Sequence, residues 1–163
     1  MYRVLLVDDE PNILSALRRC LAMIDVRQLD GEALQFEIFT SPEAAIQRSD
    51  EQDFDLVISD YRMPSMNGVE FLARLMEIQP AAPRVIISGY ADRNAIIAAI
   101  NEVHLTRFIE KPWNDQELRH AVVSILGGGG GGGAKPAADD TLLERADDGG
   151  IVIAPNDFDD LGD

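Results

Sequence analysis

The chain has 163 residues, with 14 basic and 29 acidic side chains and a formal charge of -15, a length that suits one domain with a core large enough to fold alone. That balance argues against partners that present phosphate, whether nucleic acid or an anionic membrane surface, and favours basic partners or metal ions. The single cysteine, Cys20, excludes an internal disulfide; MYRVLLVDDE has no leader pattern, and no apolar run approaches the roughly 18 residues that cross a bilayer. The expectation is a cytoplasmic protein with no nucleic-acid partner and no membrane partner.

YRVLLV at residues 2–7 reads as the first strand, followed by a helix from Pro11 to about Met23. Cys20 falls in the apolar pattern of that helix and is expected to be buried and inert. LQFEIF (34–39) is the second strand, and a helix follows with Ser41 as N-cap and Pro42 in the first helical position. FDLVIS (54–59) precedes a helix near Gly68 to Ile78, and RVIIS (84–88) precedes one near Ala91 to Glu102. TRFIE (106–110) leads to the last helix, Asn114 to Ile125, with Asn114 as N-cap, Glu117 in the third position and Trp113 placed to staple against Leu118. Five strand–helix units whose strands carry the continuous runs VLLV, LVIS and VIIS predict an α/β fold, a parallel sheet covered by helices on both faces.

The pattern stops at about residue 126. Seven glycines fill 127–133, a flexible spacer, and 134–163 hold nine acids against two bases. Two readings of this tail stand. It is a solvated acidic segment, or a docking segment in which 151–154 add to a sheet edge and 141–146 form a helical turn on a groove.

In an open parallel sheet the ligand site lies beyond the carboxyl ends of the strands. Asp8 and Asp9 follow the first strand, Asp60 ends the third, Ser88 ends the fourth and Lys111 follows the fifth. Three carboxylates, a hydroxyl and an ammonium are thus brought to one edge. A divalent cation would offset the repulsion among three carboxylates; Mg2+ fits, with its preference for octahedral oxygen ligands.

VDDE after the first strand, SDYRMPSMNG after the third, SGY after the fourth and FIEKPW around the fifth resemble a response-regulator receiver domain, over residues 1 to about 126. The resemblance implies a flavodoxin-like doubly wound (βα)5 sandwich with strand order 2-1-3-4-5. It matches Asp60 to the residue phosphorylated by a histidine kinase or phosphotransfer protein. Asp9, Asp60 and the backbone carbonyl of Arg62 become direct Mg2+ ligands, with Asp8 acting through water. Ser88 and Lys111 become phosphoryl-binding groups, and the Lys111–Pro112 bond is expected to be cis. Ser88 and Phe108 match the switch pair, Phe108 standing where many family members carry tyrosine. The 91–125 face is implied as the surface for a downstream protein, an output domain or a homodimer.

Arg62 and Tyr90, two residues after Asp60 and Ser88, would flank the phosphoryl group in this fold, and their bulk is expected to hinder an attacking water. Gly89 either keeps that approach open or is an ordinary turn glycine. Met63 and Met66 are expected to pack under the loop that Pro64 and Gly68 shape; His104 and His120 lack any partner at metal-ligand spacing. GxxxxGK[ST] and GxGxxG are both missing, which speaks against nucleotide binding. The reading is a regulatory phosphoacceptor that assists its own phosphorylation and dephosphorylation. Alternatives are a receiver fragment of a longer regulator with an output domain such as a cyclic-dinucleotide phosphodiesterase, an interaction module that never turns over phosphate, and a phosphatase of the haloacid dehalogenase type. The last normally places its nucleophile in a DxD pattern after the first strand, whereas Asp8 and Asp9 are adjacent.

Overall fold

A computed structural model describes residues 1–127; the rest of the glycine run and the acidic tail, with the docking segments read in it, lie outside the described residues. Five strands, β1 (Tyr2–Val7), β2 (Leu34–Phe39), β3 (Leu56–Asp60), β4 (Arg84–Ser88) and β5 (Arg107–Glu110), alternate with helices α1 (Pro11–Ala22), α2 (Pro42–Ser49), α3 (Gly68–Ile78), α4 (Arg93–Ala99) and α5 (Asp115–Leu126). All strand pairs are parallel, and the order is β2-β1-β3-β4-β5, the doubly wound order the resemblance implies.

The apolar runs explain the layering. Successive β1 side chains point to opposite faces, so Val4 and Leu6 enter one core with Leu17 and Leu21 of α1 and Leu118 and Val122 of α5. Leu5 and Val7 enter the other, with Ala45 of α2, Phe71 and Leu72 of α3 and Ile96 of α4. Each such fully buried aliphatic side chain contributes about 2 kcal/mol. Helices therefore cover both faces, and the chain reverses its direction of winding between β1 and β3. That switch point opens a crevice above the strands' carboxyl ends.

Local signals set most helix starts. Ser41 accepts a hydrogen bond from the Ala44 amide at 3.2 Å, and Asn114 accepts one from the Glu117 amide at 2.9 Å. At α3, Asn67 and Glu70 form a reciprocal capping box. Trp113 packs on the core that includes Leu118 and donates its indole N–H to Asp115 at 2.9 Å. Cys20 is buried.

The fourth helix differs from its expected span. Tyr90–Asp92 form a 3-10 turn, α4 proper covers Arg93–Ala99, and the chain leaves through His104 in the left-handed region (φ 49). The reason is tertiary. The buried Arg84 guanidinium takes the carbonyls of Val103, Pro80 and Ala82, fixing the segment after α4 to the start of β4.

Candidate functional site

The crevice is lined as the strand ends dictate. Asp8, just beyond β1, is buried, and its Oδ1 accepts the Glu10 amide at 2.9 Å. Asp60, the last residue of β3, is buried and accepts the Tyr61 amide at 2.8 Å. Carboxylate oxygens of Asp8, Asp9 and Asp60 gather within 4.8 Å of one another. The Lys111 amide is bonded to the Ser88 carbonyl at 2.8 Å, which fixes the loop after β5 to the end of β4. From there Lys111 Nζ stands 3.3 Å from both Asp8 and Asp60. The Lys111–Pro112 bond is cis.

Burial is the largest influence on Asp8 and raises its pKa to about 6; the Glu10 amide and Lys111 oppose the rise, and Asp60 adds to it. Burial likewise raises Asp60, with Lys111 opposing. For the Lys111 ammonium burial is again the largest single influence and works against the charge, but Asp8 and Asp60 together outweigh it and hold the pKa above the ordinary value. One ammonium among three carboxylates leaves an excess of negative charge in a partly desolvated site. That charge and an all-oxygen donor set fit a small hard dication.

Glycine at position 68 is required by proximity. Its amide donates to the Tyr61 carbonyl at 2.7 Å, and a Cβ there would collide with the Asp60 carbonyl oxygen. At Gly89 a Cβ would meet nothing within 4 Å, so space does not impose glycine there. Met66 is buried and Met63 half-buried against the second core, where Phe108 also packs, half-buried.

Ser88 is buried, and its hydroxyl donates to Asp92 Oδ2 at 2.8 Å. Arg62 does not stand alone beside the site either: its Nε donates to Asp92 Oδ1 at 2.7 Å. Asp92 is the residue that sequence reasoning missed, for it falls within the first turn of the helix expected near Ala91 to Glu102, where an acid is ordinary. It makes no side-chain capping bond here. Tyr90 is 71% exposed, its ring centroid 5.9 Å from the Arg93 guanidinium. An open cleft of about 750 Å³ beside the carboxylates is lined by Asp9, Arg62, Met63, Asn67, Asp92 and Ala95 among others.

Residues 4–123 match the family model of the response regulator receiver domain. The chain belongs to this family. Its receiver is similar to the hydrogenase transcriptional regulatory protein HoxA of Cupriavidus necator, 37% identical over 119 residues, which are 73% of this chain and 23% of that protein. It is also similar to the transcriptional regulatory protein FixJ of Rhizobium meliloti, 30% identical over 121 residues, 74% of this chain and 55% of FixJ. The chain thus spans from about a quarter to about half of the length of these curated relatives. Among solved structures, the signal receiver domain of an HD domain-containing protein from Pseudomonas fluorescens Pf-5 aligns with TM-score 0.64 and 32% identity, over 77% of this chain and 86% of that one. An uncharacterised protein from Neptuniibacter caesariensis aligns with TM-score 0.67 and 40% identity, over 77% and 87%.

Receivers are regulatory domains of two-component systems that generally bind Mg2+ in an acidic pocket, and in this chain Asp8, Asp9 and Asp60 form an acidic group that could hold a metal ion. Among the described residues no helix is long and apolar enough to cross a membrane.

Proposed function

We propose that this receiver is a phosphoacceptor switch in which Asp60 takes a phosphoryl group from a histidine kinase or phosphotransfer protein and the 91–125 face relays the change to a partner. The carrying observation is the buried Asp60 carboxylate, 3.3 Å from Lys111 Nζ and within the 4.8 Å grouping with Asp8 and Asp9. A carboxylate oxygen of Asp60 attacks phosphorus, the bond from phosphorus to the donor nitrogen breaks, and the donor imidazole leaves and takes up a proton. Lys111, already poised on Asp60, follows the charge onto a phosphoryl oxygen. Ser88 donates its hydroxyl to another, and Phe108 turns into the space that Ser88 vacates. Asp8, Asp9, Asp60 and the Arg62 carbonyl would hold Mg2+, which when bound supplies charge neutralisation and in-line orientation.

The test is intact-protein mass after incubation with acetyl phosphate and Mg2+. We expect one phosphoryl adduct per chain in wild type, lost in Asp60→Asn and in excess EDTA; an adduct that survives in Asp60→Asn would refute the assignment. Multiple turnover on small phosphate esters, the mark of a haloacid-dehalogenase-like phosphatase, is not expected.

Arg62 and Tyr90 flank the approach of water to the acyl phosphate and lengthen its lifetime. The variant Arg62→Ala/Tyr90→Ala is expected to lose phosphate several-fold faster, followed by the decay of the adduct; an unchanged half-life would remove this role.

A second reading concerns the whole protein. The curated relatives are much longer than the matched region and are named as transcriptional regulators, which supports a receiver that controls an attached output domain. The receiver in this reading ends near residue 126, with the glycine run as the joint. The charge argument against nucleic acid applies to these 163 residues alone.

A further inference from the structure

Asp92 is a buried carboxylate, 5% exposed, between two groups that the switch needs. Its Oδ2 accepts the Ser88 hydroxyl at 2.8 Å. Its Oδ1 accepts Arg62 Nε at 2.7 Å and lies 2.7 Å from a terminal guanidinium nitrogen of the same side chain. It stands directly before α4, yet its side chain makes no capping bond to that helix. We propose that Asp92 is a latch: it holds the Ser88 hydroxyl in the unphosphorylated protein, and Ser88 leaves it when Asp60 carries a phosphoryl group. The inference rests on the phosphoacceptor reading above.

The stoichiometry of the hydroxyl carries the argument. A serine hydroxyl has one proton to donate, and here that proton is committed to Asp92. Donation to a phosphoryl oxygen therefore requires that the bond to Asp92 break, which leaves one oxygen of a buried carboxylate without its donor. Such a loss is costly unless another donor replaces it. Arg62 can do so. In this state both of its nearest nitrogens address Oδ1, whereas the guanidinium fork can span both oxygens of a carboxylate. A modest rotation of Arg62 thus covers Oδ2 as Ser88 departs. Because Asp92 ends the 3-10 turn over Tyr90–Asp92 and begins α4, the exchange also loosens the tie between the end of β4 and that helix. Asp92 positions the switch and does not touch the reacting atoms.

The experiment is titration with beryllofluoride, a phosphoryl mimic, at saturating Mg2+, followed by calorimetry and by the fluorescence of Trp113, the chain's single tryptophan. Wild type, Asp92→Ala, Ser88→Ala, Arg62→Ala and Ser88→Ala/Asp92→Ala are compared, with Asp60→Asn as the control for the site. Asp92→Ala is expected to bind about fivefold more tightly than wild type, less than one wholly lost hydrogen bond to a charged group would give, because Arg62 replaces part of it. Arg62→Ala is expected to bind several-fold more weakly, since release then strands the carboxylate. The gain from Asp92→Ala should vanish when Ser88 is alanine. Equal or weaker binding by Asp92→Ala, or a gain that persists without Ser88, overturns the latch while leaving the phosphoacceptor reading intact. Wild type that fails to bind in an Asp60-dependent manner overturns that reading, and the latch with it. Should Asp92→Ala fail to fold, the near-isosteric Asp92→Asn, with a weaker acceptor, is expected to bind about threefold more tightly and is judged by the same rule.

Discussion

Asp8→Asn is expected to make the metal-free protein more stable at pH 7.5, by about 2–3 kcal/mol, while removing its response to Mg2+. Asp8 has a pKa raised from the ordinary 3.8 to about 6, chiefly by burial. A carboxyl with a raised pKa is harder to ionise in the folded chain than in the unfolded one. Its ionisation therefore costs nothing below pH 3.8, costs progressively more as pH rises from about 4 to 6, and costs a constant amount above. Asparagine removes that cost, and its side-chain oxygen can still accept the Glu10 amide that now lies 2.9 Å from Asp8 Oδ1. Urea denaturation in EDTA should show the gain at pH 7.5 and its near disappearance at pH 4. With Mg2+ at ten times its dissociation constant, wild type should gain about 1.4 kcal/mol and the variant little. A variant less stable than wild type in EDTA at pH 7.5 would mean that the pairing of Asp8 with Lys111, 3.3 Å away, outweighs burial. The acidic pocket is, on this account, a site where stability is given up so that a cation can be held.

The second large effect lies beneath Asp60. Gly68→Ala is expected to destabilise the fold by about 3 kcal/mol, although Gly68 is the first residue of α3 and helix propensity alone favours alanine. The reason is the backbone of the site itself. An added Cβ would collide with the Asp60 carbonyl oxygen and would lie 3.0 Å from Tyr61 Cα. These are main-chain atoms at the end of β3 and directly after it, and no flexible side chain is available to yield. Relief requires Asp60 to move, so Mg2+ affinity and adduct formation should fall together with stability. Gly89→Ala is the control: open space surrounds that position and its φ of -72° is accessible to any residue, so a change within about 0.5 kcal/mol is expected. Paired urea midpoints for the two variants decide the point, and a neutral Gly68→Ala would show that the loop after β3 is more yielding than its contacts imply.

Legibility in the sequence followed the range of the interaction. Strand runs such as LQFEIF and RVIIS coincide with β2 and β4, because apolar continuity and alternation are properties of neighbouring residues. Ser41 and Asn114 cap the helices they precede, because a cap acts across three residues. Asp92 shows the limit of the same rule. By position it falls in the first turn of the expected helix, where an acid needs no distant partner, but Ser88 and Arg62, the latter 30 residues away in sequence, claim both of its oxygens. The shortening of α4 has a similar cause, since Arg84 takes the Val103 carbonyl across 19 residues.

Taken by itself, the sequence determined that five strand–helix units would form, and that Asp8, Asp9, Asp60, Ser88 and Lys111 would come to one edge of the sheet. Each strand end is a local event, and a parallel sheet aligns those ends on one side. Only the tertiary structure decided how the groups share their charges and protons. Lys111 is 103 residues from Asp8 and reaches it and Asp60 at the same distance because β1, β3, β4 and β5 are neighbours in the sheet. The bond that occupies the Ser88 proton likewise depends on how the turn before α4 folds back against β4, a packing outcome that no local pattern specifies.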